Sequence, residues 1–241
     1  MASVLETIVF DPAKFQPELQ AFEELLKSKA DLSEREDIQP FFKKSKHLTA
    51  YLGTFAPNIA VATEICFEYE FFGDFKADIL LGSKLEKEFC VVEFEDGKQD
   101  TIFKKQKKRK NPEWSARFEH AFSQMTDWFY NLEDFKNTQG FSATFGPGHT
   151  SFTGLLVMGR SASLDDIKRS RLNWRTDTVS IGKHKVSCIT FDELHARLQR
   201  KFYLYSAGSK DVETTTEAPG LPPPHVNPEV TRGPIPGSPF R

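Results

Sequence analysis

The stretch Ala77–Glu95, ADILLGSKLEKEFCVVEFE, constrains the fold more than any other. Two short apolar runs, Ala77–Leu81 and Phe89–Glu95, flank a polar turn from Gly82 to Glu88. Each run has strand length, branched or aromatic content and a boundary of turn residues, so the pattern predicts a β-hairpin. Its acids are oddly placed for one. Asp78 sits inside the first run, and Glu93 and Glu95 sit inside the second. Strand side chains alternate between faces. Glu93 and Glu95 therefore share a face with Phe89 and Val91, while Cys90, Val92 and Phe94 point the other way. Paired around the turn, the strands bring Asp78 close to the acidic pair. Clustered carboxylates repel one another and cost desolvation; a hard cation such as Mg²⁺, which takes oxygen ligands, removes that cost. The plain alternative is an edge strand with one wet face, on which the acids are ordinary solvated residues.

A chain of 241 residues suits one medium domain with an appendage. The 23 phenylalanines predict an aromatic-rich core. The formal charge of −2 gives no bulk argument for nucleic-acid binding, which has to rest on local charge distribution. Cys66, Cys90 and Cys188 are odd in number, match no zinc spacing and lie in strand-like runs. They read as buried reduced thiols of a cytoplasmic protein. No apolar run approaches membrane-spanning length, and the N-terminus shows no signal peptide, so no membrane partner is expected.

Along the chain, Val4–Phe10 reads as a short strand. Phe15, Leu19, Phe22, Leu25 and Leu26 recur at helical spacing, with the regular helix expected from near Pro17 to about Lys29. Ser33 with Glu36 forms a capping box for a second helix. Residues 59–72 read as one long strand with Val61, Ile65, Phe67, Tyr69 and Phe71 buried and Glu64, Glu68 and Glu70 exposed. Gly73-Asp74 reads as the turn into the Asp78 strand. The strongest helix is expected over Trp114–Phe135, with His120, Gln124 and Asp127 as one polar stripe. That stripe is the wet side of a helix unless the helix packs beside the carboxylate hairpin. Residues 140–150 read as a Gly-rich loop, 152–158 as a buried strand, and Ser163 with Asp166 as the start of a helix to about Trp174. A hairpin follows around Gly182-Lys183-His184, then a helix capped by Thr190 and Glu193. A folded domain over residues 1–206 is expected, with a disordered Pro- and Thr-rich tail over 207–241.

Lys104–Lys110 reads KKQKKRK. It is either a solvated loop or a phosphate-contacting segment, in which Lys104, Lys105, Lys107, Lys108, Arg109 and Lys110 would give affinity without sequence choice.

The order helix, helix, long strand, Asp strand, Glu-x-Glu strand, long helix, strand resembles the core of the restriction-endonuclease-like PD-(D/E)xK nucleases. A closer resemblance is to the nuclease domain of the Shedu antiphage-defence proteins. It is carried by Lys76–Leu81, Val91–Glu95 and Glu119–Trp128, with Ile189–Leu194 as a closing strand-to-helix corner and Ser33–Phe42 as an entry helix. It runs from about residue 20 to residue 205. The resemblance implies an α/β fold with a mixed central sheet flanked by helices, and a DNA endonuclease of bacterial immunity that depends on Mg²⁺ or Mn²⁺ and works as a homo-oligomer. It makes Asp78 and Glu93 metal ligands and Gln124 a catalytic neighbour, with Glu36 and His120 in support. Glu95 stands where many of these nucleases have Lys, so it would bind metal or accept a proton, and Lys98 or the basic run would have to supply the missing positive charge. That departure leaves a second expectation open: a catalytically inactive module on the same fold that binds nucleic acid or protein.

Overall fold

Short branched and aromatic runs separated by turns build the sheet, and amphipathic helices cover both its faces. The computed structural model describes residues 4–71, 75–105 and 111–214. The Gly73-Asp74 turn, Lys107–Lys110 and the chain beyond Thr214 lie outside the described residues. The chain divides into two units, residues 1–202, which carry the sheet, and residues 203–241.

Among the described residues the sheet has seven strands in the order β1-β2-β3-β4-β5-β7-β6. Strands β1 (Glu6–Thr7), β2 (Glu64–Phe71), β3 (Phe75–Ser83) and β4 (Glu88–Phe94) pair antiparallel in succession. Strands β5 (Ser151–Val157) and β7 (His184–Ile189) continue parallel to β4, and β6 (Ser180–Ile181) pairs antiparallel at the end. The fold is a mixed α/β architecture. The expected hairpin is β3–β4, with Gly82 opposite Phe89. A Cβ on Gly82 would lie 2.4 Å from the Glu88 carbonyl oxygen, so the close approach of the two strands requires glycine there. All of β4 is buried between β3 and β5, which excludes the edge-strand alternative.

On one face, helices α1 (Pro12–Ser28), α2 (Gln39–Lys44), α3 (Lys46–Tyr51) and the first part of α7 (Phe191–Thr214) pack Phe15, Phe22, Phe42, Leu48 and Leu194 against Val92, Phe94 and Leu155. Phe42 stacks on Phe94 at 4.5 Å between ring centroids. On the other face, α4 (Ala116–Phe135), α5 (Gln139–Phe145) and α6 (Asp166–Thr178) pack Phe118, Met125, Trp128, Phe145 and Leu172 against Phe89, Val91, Leu156 and Val186. The two opposite side-chain sets of β4 feed these two layers as alternation requires. The three cysteines are free and buried.

Local chemistry explains where elements depart from the expected ones. Helix α1 starts at Pro12, because the Asp11 carboxylate caps Ala13 N–H and Pro12 occupies the tolerated first turn. The Ser33 hydroxyl accepts from Glu36 N–H as expected, but the return bond to Ser33 N–H comes from Asp37. The turn that follows is a π-helix, Glu34–Ile38. Thr138 caps α5, which occupies the first part of the segment read as a loop. Asp165, not Ser163, caps α6. Thr190 and Glu193 form a complete reciprocal capping box. Helix α7 continues through Thr214, past the boundary expected at Ala207.

The expected strand over 59–72 is regular only from Glu64 to Phe71. Glu68 has a positive φ of 53°, and the β2–β3 ladder passes from Phe67↔Ile79 to Tyr69↔Ala77 without a Glu68↔Asp78 pair. Ile65, Phe67, Ile79 and Leu81 serve the α1 layer, while Tyr69, Phe71 and Ala77 serve the α4 layer. Both strands therefore change face at one point. Asp78 occupies it.

Arg160 pins the α1 end to the α7 start. Its guanidinium donates to both Asp192 carboxylate oxygens at 2.9–3.2 Å and to the Leu26 and Lys29 carbonyls at 2.9 and 2.8 Å. Truncation leaves the Asp192 carboxylate and two carbonyls without this donor. Arg160→Ala is expected to lower unfolding stability by about 2–4 kcal/mol in a urea titration; a loss below about 0.5 kcal/mol would mean the pin contributes nothing measurable.

Candidate functional site

The change of face at Asp78 also ends the β3–β4 ladder. Its last pair is Ile79↔Val92, and the Asp78 side chain takes over from the backbone. Asp78 Oδ2 accepts from Phe94 N–H at 2.8 Å, and Oδ1 accepts from Gln39 Nε2 at 2.7 Å. Gln39 also donates to Glu34 Oε1 at 3.1 Å. One amide thus joins the two carboxylates, and the π-turn sets the spacing from Glu34 to Gln39. Such turns are frequent at functional sites.

Strands β4 and β5 are parallel, and a cleft of about 500 Å³ opens at their carboxyl ends. This is where ligands bind in open α/β sheets. Glu34, Glu93, Glu95, Asp96, Lys98, Arg117, His120 and Gln124 line it. Glu95 lies one residue past the strand, held to β5 by its N–H bond to the Val157 carbonyl. Asp96 is the hub of the far wall. Its Oδ1 accepts from Glu34 N–H at 2.9 Å, and its Oδ2 lies 2.6 Å from both Lys98 Nζ and Arg117 Nη1. Arg117 Nη1 also lies 3.2 Å from Glu95 Oε2.

The electrostatics follow from burial. Glu93 is only 8% exposed, and its Oε2 is buried with no hydrogen-bond partner. Burial, with the charges of Asp78 and Glu34 added, pushes its carboxyl well above the ordinary range. Burial pushes Asp78 up to about 7 against the opposing Phe94 N–H bond. Burial pushes Glu95 to about 7 despite the Arg117 charge beside it. Glu34 is raised by burial and by Asp96. Asp96 goes the other way: burial is outweighed by the Glu34 N–H bond, Lys98 and Arg117, and its carboxyl stays below the usual range. The site therefore combines one acid whose carboxyl is lowered, Asp96, with four whose carboxyls are raised, Glu34, Asp78, Glu93 and Glu95.

Glu93, Glu95, Gln124 and His120 meet in this cleft, and the Asp78 charge acts on Glu93 from behind it. Glu36 does not join them. It is exposed on the π-turn, and Glu34, two residues earlier, faces the cluster. Asp127, the last member of the helix stripe, is exposed and outside the cleft lining. Lys98 is tied to Asp96. Lys104 pairs with Glu113 at 3.4 Å and Lys105 is exposed; both line a neighbouring cleft of about 460 Å³ that shares Lys98. Four contributors escaped the sequence reading: Glu34, Gln39, Asp96 and Arg117. Arg117 was within reach, since the stripe Gln124, His120 continues one turn back to it at helical spacing. Asp96 opens an Asp-Gly-Lys stretch that by itself signals only a turn, and nothing in sequence marks a π-turn.

The fit to a cation has two sides. Among the described residues no group of three or more Asp, Glu, His or Cys side chains is arranged to hold a metal ion. Mg²⁺, however, keeps several waters and binds proteins through one or two carboxylates together with substrate phosphates. The orphaned Glu93 Oε2 beside Asp78 and Glu95 supplies that kind of donor set.

The family described as Shedu protein SduA, C-terminal, matches residues 31–195. The chain belongs to the Shedu family. The match begins just before Glu34 and runs through α4 and β7, so it contains every residue of the cleft. Shedu membership points to antiphage defence. No curated protein matches the chain. No helix among the described residues is long and apolar enough to cross a membrane.

Proposed function

We propose that this Shedu-family protein is a Mg²⁺- or Mn²⁺-dependent DNA endonuclease with a PD-(D/E)xK-type site, acting as a cytoplasmic homo-oligomer in antiphage defence. The observation that carries the reading is the unpartnered, buried Oε2 of Glu93 amid carboxylates that repel it. A buried acid with a free oxygen at the mouth of a polar cleft costs stability unless something takes that oxygen.

In this reading Asp78 and Glu93 would hold the cation, which when bound would polarise a phosphate oxygen and lower the pKa of a water. The chain's own groups do the rest. Phe94 N–H and Gln39 keep the Asp78 carboxylate in one orientation. Glu95 either completes the cation's shell or, left off it, accepts the proton of the attacking water. Gln124 and His120, one turn apart on α4, orient that water from the opposite wall. In-line attack then breaks the P–O bond to the leaving deoxyribose oxygen. Lys104 and Lys105, with Lys107, Lys108, Arg109 and Lys110 of the same run, add phosphate contacts that carry no sequence choice.

A second reading rests on the Arg117 pairing at Glu95 and on the lack, among the described residues, of a ready three-ligand arrangement. It is an inactive module that binds DNA or protein through the same cleft. One assay separates the two: linear and circular duplex DNA incubated with Mg²⁺, Mn²⁺ or EDTA, beside a Glu93→Ala control that is folded by circular dichroism. Metal-dependent cutting lost in the control is the expected result. Absence of cutting on every substrate and metal would leave the binding module.

A further inference from the structure

The cleft has a charge problem that the proposed reaction does not by itself solve. Its walls carry Glu34, Glu93, Glu95 and Asp96, and a phosphodiester brings further negative charge. The cations on its lining are Arg35, Lys98 and Arg117. Lys98 Nζ is held 2.6 Å from Asp96 Oδ2. Arg35 is exposed on the π-turn. Among the cations of the described residues, Arg117 is the one paired with Glu95 within 4 Å, and it also holds Asp96.

We infer that Arg117 is a phosphate-binding residue of the cleft, and that Asp96 is the positioning residue that aims it. This rests on the nuclease reading for the nature of the ligand. Both ion pairs of Arg117 run through Nη1. These are the closest approaches; a guanidinium has five N–H donors in a rigid fork, and the Nε–Nη2 edge makes neither of them. That edge is the one that meets two phosphate oxygens side by side. The side chain is 46% exposed, whereas those of Asp96 and Glu95 are 10% and 9%. The anchors are thus fixed inside, and the cation reaches solvent where a strand would enter. Arg117 sits in the first turn of α4, three residues before His120 and seven before Gln124, on the same helix face. The three side chains form one ladder along the cleft, with the charge at its outer end. Asp96 accepts the Glu34 N–H and holds two cations, and these contacts fix it as the anchor of Arg117.

The test uses the full chain and four proteins: wild type, Arg117→Ala, Arg117→Lys and Asp96→Asn. Two quantities are measured. One is the affinity for a fluorescent duplex in Ca²⁺ or EDTA across a salt series. The other is the single-turnover cleavage rate in Mg²⁺ or Mn²⁺ at saturating enzyme. Arg117→Ala is expected to lose about 10- to 100-fold in rate, with its salt slope reduced by about one. Arg117→Lys should restore the slope, which counts charge, but only part of the rate, which needs the fork. Asp96→Asn should lower the rate while keeping the slope. Arg117→Ala that binds and cuts like wild type overturns the inference, as does full rate recovery in Arg117→Lys. If Arg117→Ala fails to fold, the Lys variant still decides between fork and point charge. If wild type binds DNA but never cuts, the nuclease reading fails while the salt slopes still judge Arg117.

Discussion

Glu93→Gln is expected to give a protein that is more stable without metal and inert with it. The substitution keeps the shape of the side chain and removes its ionisable group. In the metal-free protein Glu93 is buried beside Asp78, with Glu34 and Glu95 adding repulsion. A neutral amide brings N–H donors into a pocket of carboxylate acceptors, where Glu93 had an oxygen without a partner. The gain outweighs the cost of burying an amide because those acceptors surround it. A rise of roughly 2–5 °C in melting temperature at pH 8 in EDTA is expected. The same change deletes a proposed ligand, so cleavage should fall by about 10³-fold or more, and the stabilising shift on adding Mn²⁺ should vanish. Thermal melts of wild type and variant in EDTA and in Mn²⁺, beside the cleavage assay, read all three. A variant that melts lower than wild type in EDTA would show that Glu93 has a structural partner, and one that still gains stability from Mn²⁺ would move the cation to other ligands.

The hairpin and its acids were legible because period-two alternation survives in β4. Glu93 and Glu95 share the face of Phe89 and Val91, and that face meets α4. The three-layer order also follows from patterning, since the apolar faces of α1 and α4 are periodic enough to show which sides are buried. What sequence could not show is where two periodicities break together. Glu68 and Asp78 lie ten residues apart in the chain, yet both strands switch faces there. Without the pairing register, a positive φ at a glutamate has no sequence signature. Glu34 was missed for a related reason. The resemblance of Ser33–Phe42 to an entry helix pointed to Glu36, but the π-turn widens the first turn and brings Glu34 to Gln39 and Asp96 instead. Pro17 misled the start of α1, because the Asp11-Pro12 cap outweighed one missing N–H. Each miss is a local geometry that tertiary contacts selected over the ordinary one.

The metal-free protein is expected to lose stability as pH rises from about 4 to about 8, the reverse of the usual behaviour of paired carboxylates. Asp78 and Glu95 titrate near 7 when folded, against ordinary values of 3.8 and 4.5, and Glu93 is raised further in the same direction. A raised acid binds its proton more tightly in the folded state than in the unfolded chain. Between the two values the folded state carries more protons, so stability falls with rising pH. Their contribution is complete below about 4 and is lost as pH passes through 7. Asp96 and Asp192 oppose this, because their lowered values add stability that disappears only at more acid pH, below the window that matters here. Mg²⁺ or Mn²⁺ should flatten the decline, since a cation favours the ionised acids and its binding releases protons. Melting temperatures in EDTA from pH 5 to 8 should therefore fall, by less in Asp78→Asn and in Glu95→Gln, and by less again in wild type with Mn²⁺. The proton release offers an independent reading: adding Mn²⁺ to weakly buffered wild type at pH 7 should acidify the solution, and Glu93→Gln should not. A melting temperature that climbs steadily to pH 8 in EDTA would show the carboxylates already ionised, which would remove the electrostatic reason for placing a cation among them.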